Sequence, residues 1–335
     1  MYFKDKSILI TGGTGSIGKK LLEELLKYKP KKVRIFSRDE FKQFELMNTY
    51  GNNDRVRFLL GDVRDKERLI RAMEGIDIVF HLAAIKHVPA SEYNPFEAVK
   101  TNVIGSQNII EAAIYNNVEK VIYTSSDKAV SPTNTMGATK LLAERLFASA
   151  DFSKGKCRTK FASVRFGNVM GSRGSVIPFF KDQILKEKRI TLTVGSMTRF
   201  MMTMKQAAEL TIKASLVCDG GEVFVLKMPI IKLSDLGQAV IELVCEKYGL
   251  NINDIRIEEI GLRPGEKTYE ELMVAQEMKQ AVEREDMFCI YPLHKQEKGN
   301  LSAESLSKMI GSRSDLGRPI KFKEVKRMIL EEDLI

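Results

Sequence analysis

Ser7-Ile8-Leu9-Ile10-Thr11-Gly12-Gly13-Thr14-Gly15-Ser16-Ile17-Gly18 joins the first apolar run of the chain to its first amphipathic one. Gly12, Gly15 and Gly18 stand three residues apart. In a strand–turn–helix setting they permit a tight turn, close approach of backbone to a pyrophosphate, and close packing of helix on strand. Thr14, Ser16 and Ile17 complete the loop, and the helix that begins there turns its unpaired N–H groups toward the phosphates. This stretch points to a dinucleotide-binding α/β domain.

The segments on either side agree. Strand-like runs fall at 7–11, 32–36, 56–60, 77–81, 120–124 and 161–166, and helix-like runs at 16–28, 40–47, 66–73, 97–115 and 136–150. That alternation predicts an α/β fold: a Rossmann-type doubly wound parallel sheet, with a smaller mixed α/β substrate-binding domain after it. Residues 1–165 read as the dinucleotide-binding domain, its core also receiving later segments. Residues 166–280 form mainly the substrate domain, where Gly and Pro cluster, and 281–335 a charged tail with an amphipathic helix at 322–330. No internal repeat is visible.

Composition narrows the class. The 335 residues are 44% hydrophobic, enough for a packed core, and 29% charged, with a net charge of +9. No apolar run approaches the roughly 20 residues of a membrane span, so no membrane is expected. The start, Met1 to Lys6, lacks signal-peptide architecture, which makes the cytoplasm the expected compartment. Cys157, Cys218, Cys245 and Cys289 lack metal-site spacing and read as free thiols, so no metal is expected. The basic residues are spread along the chain without a nucleic-acid-binding pattern. Small phosphorylated ligands suit the charge better than nucleic acid.

The second strand runs into Ser37-Arg38-Asp39. A guanidinium there can pair with a 2′-phosphate, which favours NADP, whereas Asp39 is the residue type that an NAD ribose would use. Asp62-Val63 after the third strand would border the adenine; otherwise Asp62 is a helix cap.

Further motifs carry a resemblance. They are His81-Leu82-Ala83-Ala84 and Asn102; Ser126-Asp127-Lys128-Ala129 before Gly137-Ala138-Thr139-Lys140; Arg165-Phe166-Gly167-Asn168 running to Ser172-Arg173-Gly174; and Arg263-Pro264-Gly265-Glu266-Lys267. Over roughly residues 5–280 the chain resembles the extended short-chain dehydrogenase/reductases. Within them it resembles the UDP-N-acetylglucosamine 4,6-dehydratases of surface-polysaccharide and nonulosonic-acid synthesis. The resemblance implies a redox-neutral reaction on UDP-N-acetylglucosamine. Hydride passes from C4 to NADP, water is eliminated across C5 and C6, and hydride returns to C6. The NADP is then recycled and stays bound.

The resemblance also implies roles. Asp127 serves as acid toward the C6 oxygen, Lys128 as base at C5, and Ser126 as hydrogen-bond partner of the C4 oxygen. Lys128 must then be partly neutral near pH 7, and burial near Lys140 is expected to lower its pKa. The superfamily's Tyr-x-x-x-Lys pair stands here as Met136 and Lys140, and a thioether cannot exchange a proton. Some members of the dehydratase family carry Met at this position too. Asp127, aided by Ser126 or a water, is the candidate for the O4 proton, and Lys140 keeps the nicotinamide ribose. Ala83, Ala84, Lys86 and Asn102 belong to the cofactor side, and Lys86 also to the substrate. Asn168, Arg173, Arg199, Arg263 and Glu266 belong to the UDP side, with Arg173 alternatively serving a neighbouring subunit. Tyr123 and His81 read as packed core, His87 as structural and His294 as solvated.

Two other readings stay open: a UDP-sugar 4-epimerase and a non-catalytic NADP-binding regulator. Segments 97–115 and 136–150 resemble the helix pairs through which the superfamily dimerises, so a homo-oligomer, dimer or hexamer, is expected.

Overall fold

The computed structural model describes residues 2–262, 265–292, 295 and 312–335. The strands in chain order are β1 Ser7–Thr11, β2 Lys32–Ser37, β3 Val56–Leu60, β4 Ile78–His81, β5 Lys120–Thr124, β6 Lys160–Arg165 and β7 Asn168–Val169. There follow β8 Arg189–Leu192, β9 Thr198–Met202, β10 Val223–Leu226, β11 Ile230–Lys232, β12 Arg256–Glu259, β13 Ala281–Glu283 and β14 Met287–Ile290. The helices are α1 Ser16–Leu26, α2 Glu40–Tyr50, α3 Lys66–Met73, α4 Val88–Tyr93, α5 Pro95–Val99 and α6 Gly105–Tyr115. They continue with α7 Thr135–Ser153, α8 Val176–Glu187, α9 Met204–Val217, α10 Leu233–Tyr248, α11 Ala275–Met278 and α12 Phe322–Glu331.

Among the described residues nine strands form the main sheet, in the order β13-β14-β10-β6-β5-β4-β1-β2-β3. From β3 to β10 every pairing is parallel. Helices cover both faces, so β1 is buried along its whole length. Its alternate residues serve two cores. Ile8 and Ile10 pack toward Leu21, Leu22 and Leu25 of α1, and Leu9 packs with Val79, Val121, Ile109 and Phe147 on the other face. The chain reverses direction across the sheet between β1 and β4, and such a switch point opens a crevice at the strands' carboxyl ends.

Residues 281–290 depart from the charged-tail expectation. β14 runs antiparallel to β10 and β13 antiparallel to β14, so they close the sheet's edge. Strands of three and four residues separated by Arg284-Glu285-Asp286 leave too little apolar pattern to stand out. The amphipathic helix falls where expected, as α12. Its Val325, Met328 and Ile329 join α8 and α10 in a second core beneath the smaller lobe. The expected helix at 97–115 is broken into α5, a π-helical turn at Lys100–Ile104 and α6. The short helix α4 had no signal in the apolar pattern.

Candidate active site

A cleft of about 970 Å³ runs along the carboxyl ends of β1, β2, β4 and β5 and continues under the smaller lobe. Its floor is the glycine loop. Gly12 has φ +68°, and a Cβ there would lie 2.8 Å from the Ala83 amide nitrogen, so only glycine lets the β1 and β4 loops meet. A Cβ on Gly18 would lie 2.6 Å from Gly13 Cα, which explains the close fit of α1 on the loop. Gly15 precedes α1 without a side-chain cap, and the first turn holds no acidic residue. The N–H groups of that turn are free for an anion.

At the tip of β2, Thr14 donates to Ser37 Oγ at 3.0 Å. Asp39 caps α2 by accepting from the Lys42 amide and is paired with the Lys42 ammonium. Its carboxylate is therefore committed. Arg38 stays largely exposed and lies 3.7 Å from Asp62. Asp62 does not cap the following helix; Asp65 does, accepting from Arg68 N at 2.9 Å. Asp62 instead receives Arg64 on both oxygens.

The chemistry-bearing groups sit past β5. Asp127–Ala129 forms a single tight turn, capped by Ser126. The Ser126 hydroxyl donates to Asp127 Oδ1 at 2.8 Å. Lys128 Nζ lies 3.0 Å from Asp127 Oδ1, 3.3 Å from Asn168 Oδ1 and 3.4 Å from Glu270 Oε1. Asp127 Oδ2 is buried without a hydrogen-bond partner. A Cβ on Gly167 would come within 3.1 Å of it. Helix α7 is capped by Asn134 and brings Met136 and Lys140, one turn apart, to the same wall. Lys140 Nζ donates to the Thr124 carbonyl at 2.9 Å, and burial lowers its pKa to about 8 against an opposing pull from Glu144.

The smaller lobe supplies the opposite wall. Arg199 donates to the carbonyls of Thr198, Lys267 and Thr268 and pairs with Glu266 at 3.2 Å. Much of its hydrogen-bonding capacity is thus spent holding the 266–270 segment. Lys267 Nζ reaches back to the Val130 and Ser131 carbonyls, and Thr133 and Asn134 donate to the Gly265 carbonyl. Lys86 Nζ donates to the Arg173 carbonyl at 2.8 Å, and the Arg173 amide donates to Ser16 Oγ at 3.0 Å, which bridges the cleft.

Most residues singled out from the sequence therefore line one cleft: Gly12, Thr14, Gly15, Ser16, Ile17, Gly18, Ser37, Arg38, Asp62, Val63, Ala83, Ala84, Lys86, Ser126, Lys128, Met136, Lys140, Asn168, Arg173, Arg199 and Glu266. Three expectations are corrected. Asn102 is off the cleft wall: its side chain holds the Ile85 amide and carbonyl and donates to Thr139, so it positions the loop bearing Lys86. Asp127 is sealed behind Ser126 and Lys128. The Lys128 amine is not pushed down: burial acts in that direction, but Asp127 and Glu270 outweigh it and raise its proton affinity. His87 also lines the cleft, beside Gly174. Tyr123 and His81 are buried as expected. Tyr123 stacks on Phe147, and His81 is held between Thr11 and Ser106, burial lowering its pKa to about 3. Arg263 and His294 lie outside the described residues. Glu270 was missed; its only sequence signal is its place four residues after Glu266. Among the described residues no cluster could hold a metal, and no helix is long and apolar enough to cross a membrane.

Fold and cleft together define a Rossmann-type protein of the extended short-chain dehydrogenase/reductase kind. Residues 8–292 match the model of a family described as polysaccharide biosynthesis protein, and the chain belongs to that family. Pen from Bacillus thuringiensis, a solved structure, is 53% identical, with a TM-score of 0.93 and complete coverage of both chains. An uncharacterised membrane protein of Methanocaldococcus jannaschii is 55% identical over 87% of each chain. A Campylobacter jejuni protein named UDP-N-acetylglucosamine 4,6-dehydratase (inverting) is 43% identical over 87% of this chain and 84% of its own. A Rickettsia felis protein named UDP-glucose 4-epimerase is 44% identical over 83% and 81%.

Proposed function

We propose that this protein is a 4,6-dehydratase of UDP-N-acetylglucosamine that retains and recycles NADP. The observation that carries the reading is the adjacent Asp127–Lys128 pair at the end of β5, beside Lys140 and a Met136 where a proton-transferring phenol would otherwise stand. Elimination across C5 and C6 needs a base and an acid side by side; C4 epimerisation has no use for that pair.

The residues fit a nicotinamide dinucleotide, which would supply removal and return of hydride at the sugar. The Gly12–Gly18 loop would hold the pyrophosphate, Ser37, Arg38 and Lys42 the 2′-phosphate, and Lys140 the nicotinamide ribose. The commitment of Asp39 to Lys42 and to the α2 cap supports NADP over NAD. Lys128 Nζ, once it has released a proton, takes the C5 proton. Asp127 reaches the cleft through the Ser126 hydroxyl, which can pass a proton between the buried carboxyl and a sugar oxygen. Lys86, Asn168, Arg173, Arg199 and Glu266 would orient the UDP moiety, and the same role is proposed for Arg263. Exposed Tyr93, Phe96, Val99, Ile104, Tyr115 and Leu142 on α4–α7 and the π-helical turn support assembly into a homo-oligomer through that face.

The relative named epimerase favours a second reading, 4-epimerisation of a UDP-sugar. Mass spectrometry of UDP-N-acetylglucosamine incubated with the protein separates them. A product lighter by one water supports the dehydratase; an isomer of unchanged mass supports the epimerase.

A further inference from the structure

Glu270 is nearly sealed from solvent yet lines the cleft, and it enters from the segment that follows Gly265, on the side facing Lys128. Its Oε1 lies 3.4 Å from Lys128 Nζ and 3.8 Å from Arg199 Nε. Its main chain is fixed independently of that carboxylate. The Glu270 amide donates to Ser314 Oγ at 2.9 Å, and the Ser314 amide donates to the Glu270 carbonyl at 2.9 Å. Two residues on, the Leu272 carbonyl accepts from Arg165 at 2.8 Å. The carboxylate is thus free to serve the ammonium it faces.

We propose that Glu270 is a positioning residue that acts through Lys128, holding the ammonium at the cleft and setting the pH at which Lys128 becomes a free amine. Among the described residues four charged groups form the cluster: Asp127 and Lys128 from the turn after β5, Arg199 from β9, and Glu270. Glu266 lies beyond, on Arg199. Burial raises the Glu270 carboxyl above its ordinary range, opposed mainly by Lys128. Asp127 grips Lys128 from behind and Glu270 from the cleft side. Without the Glu270 charge, Lys128 keeps one carboxylate while Arg199 still repels it. An opposite charge at this range shifts a pKa by about 1–3 units, so Lys128 should release its proton at least about one unit lower.

The catalytic meaning of this pairing rests on the dehydratase reading; the pairing itself does not. The test is acetic anhydride labelling of the full chain at about pH 8, with peptide-resolved mass spectrometry. Labelling rate follows the fraction of free amine, so Glu270→Gln should label Lys128 about tenfold faster than wild type. Glu270→Asp should stay near wild type, and so should Glu266→Gln, which loosens the same wall without facing Lys128. Equal labelling in Glu270→Gln and wild type overturns the proposal, and so does equal acceleration by Glu266→Gln. Wild-type Lys128 labelling as fast as exposed Lys4 also overturns it, and needs no variant. The pH–rate profile gives a second readout. Glu270→Gln should move its acid limb to lower pH, whereas a purely structural loss lowers the rate equally at every pH. Absence of product from wild type would count against the dehydratase alone, since labelling decides Glu270 separately.

Discussion

Arg165→Met probes the buried ionic junction that joins the main sheet to the cleft's far wall. Arg165 and Glu144 are each 1% exposed, and Glu277 is 12% exposed. The guanidinium contacts Glu144 at Nε (3.2 Å) and at Nη2, Glu277 at 2.8 Å, and the Leu272 carbonyl at 2.8 Å. Removing the cation alone leaves Glu144 as an uncompensated buried charge, which costs about 3–5 kcal/mol. For a chain of this size the thermal midpoint should fall by roughly 5 °C or more. Arg165→Met/Glu144→Gln, which removes the stranded charge, should recover much of the loss. Urea unfolding of the three proteins is the assay. A deficit below about 1 kcal/mol, or a double variant no more stable than Arg165→Met, would refute the reasoning. Turnover should fall as well, because Leu272 lies two residues from Glu270.

Lys128→Ala should abolish turnover while UDP binding, measured by calorimetry, persists; unchanged turnover would remove Lys128 from the chemistry. A Cβ added by Gly137→Ala overlaps the Lys128 carbonyl oxygen, so the 127–129 turn must shift. A displacement of that order lowers kcat by about 10²-fold, and a variant with wild-type kcat would show that the turn's placement is not critical. Arg38→Ser should lower affinity for NADP by about 10–100-fold relative to NAD, the worth of one charge-assisted hydrogen bond of about 1.5–3 kcal/mol. Competition binding on cofactor-stripped protein reads that ratio, and an unchanged ratio would place the 2′-phosphate elsewhere.

The central strands β1, β4, β5 and β6 are legible because strands buried on both faces read as apolar runs bounded by loops. Gly12, Gly15 and Gly18 are legible because each meets a local backbone demand. The β13–β14 edge was hidden by its short strands and charged turn. Glu270 was hidden because its partners Lys128 and Arg199 are distant in sequence and meet it only through tertiary packing. The same holds in part for Lys128: burial was foreseeable, but the pairing of its ammonium with Asp127 and with Glu270 opposite outweighs burial, so the direction of its shift came out reversed. Asn102 illustrates a related limit, since its type and place suit a cofactor contact while its hydrogen bonds face the Ile85 backbone.

Proton NMR of the purified protein with UDP-N-acetylglucosamine in D₂O, with no cofactor added, tests the dehydratase most directly. The Asp127–Lys128 chemistry and a retained NADP predict a new C6 methyl signal with deuterium incorporated at C5. A spectrum showing only the C4 epimer, or no change even after NADP⁺ is supplied, would contradict them.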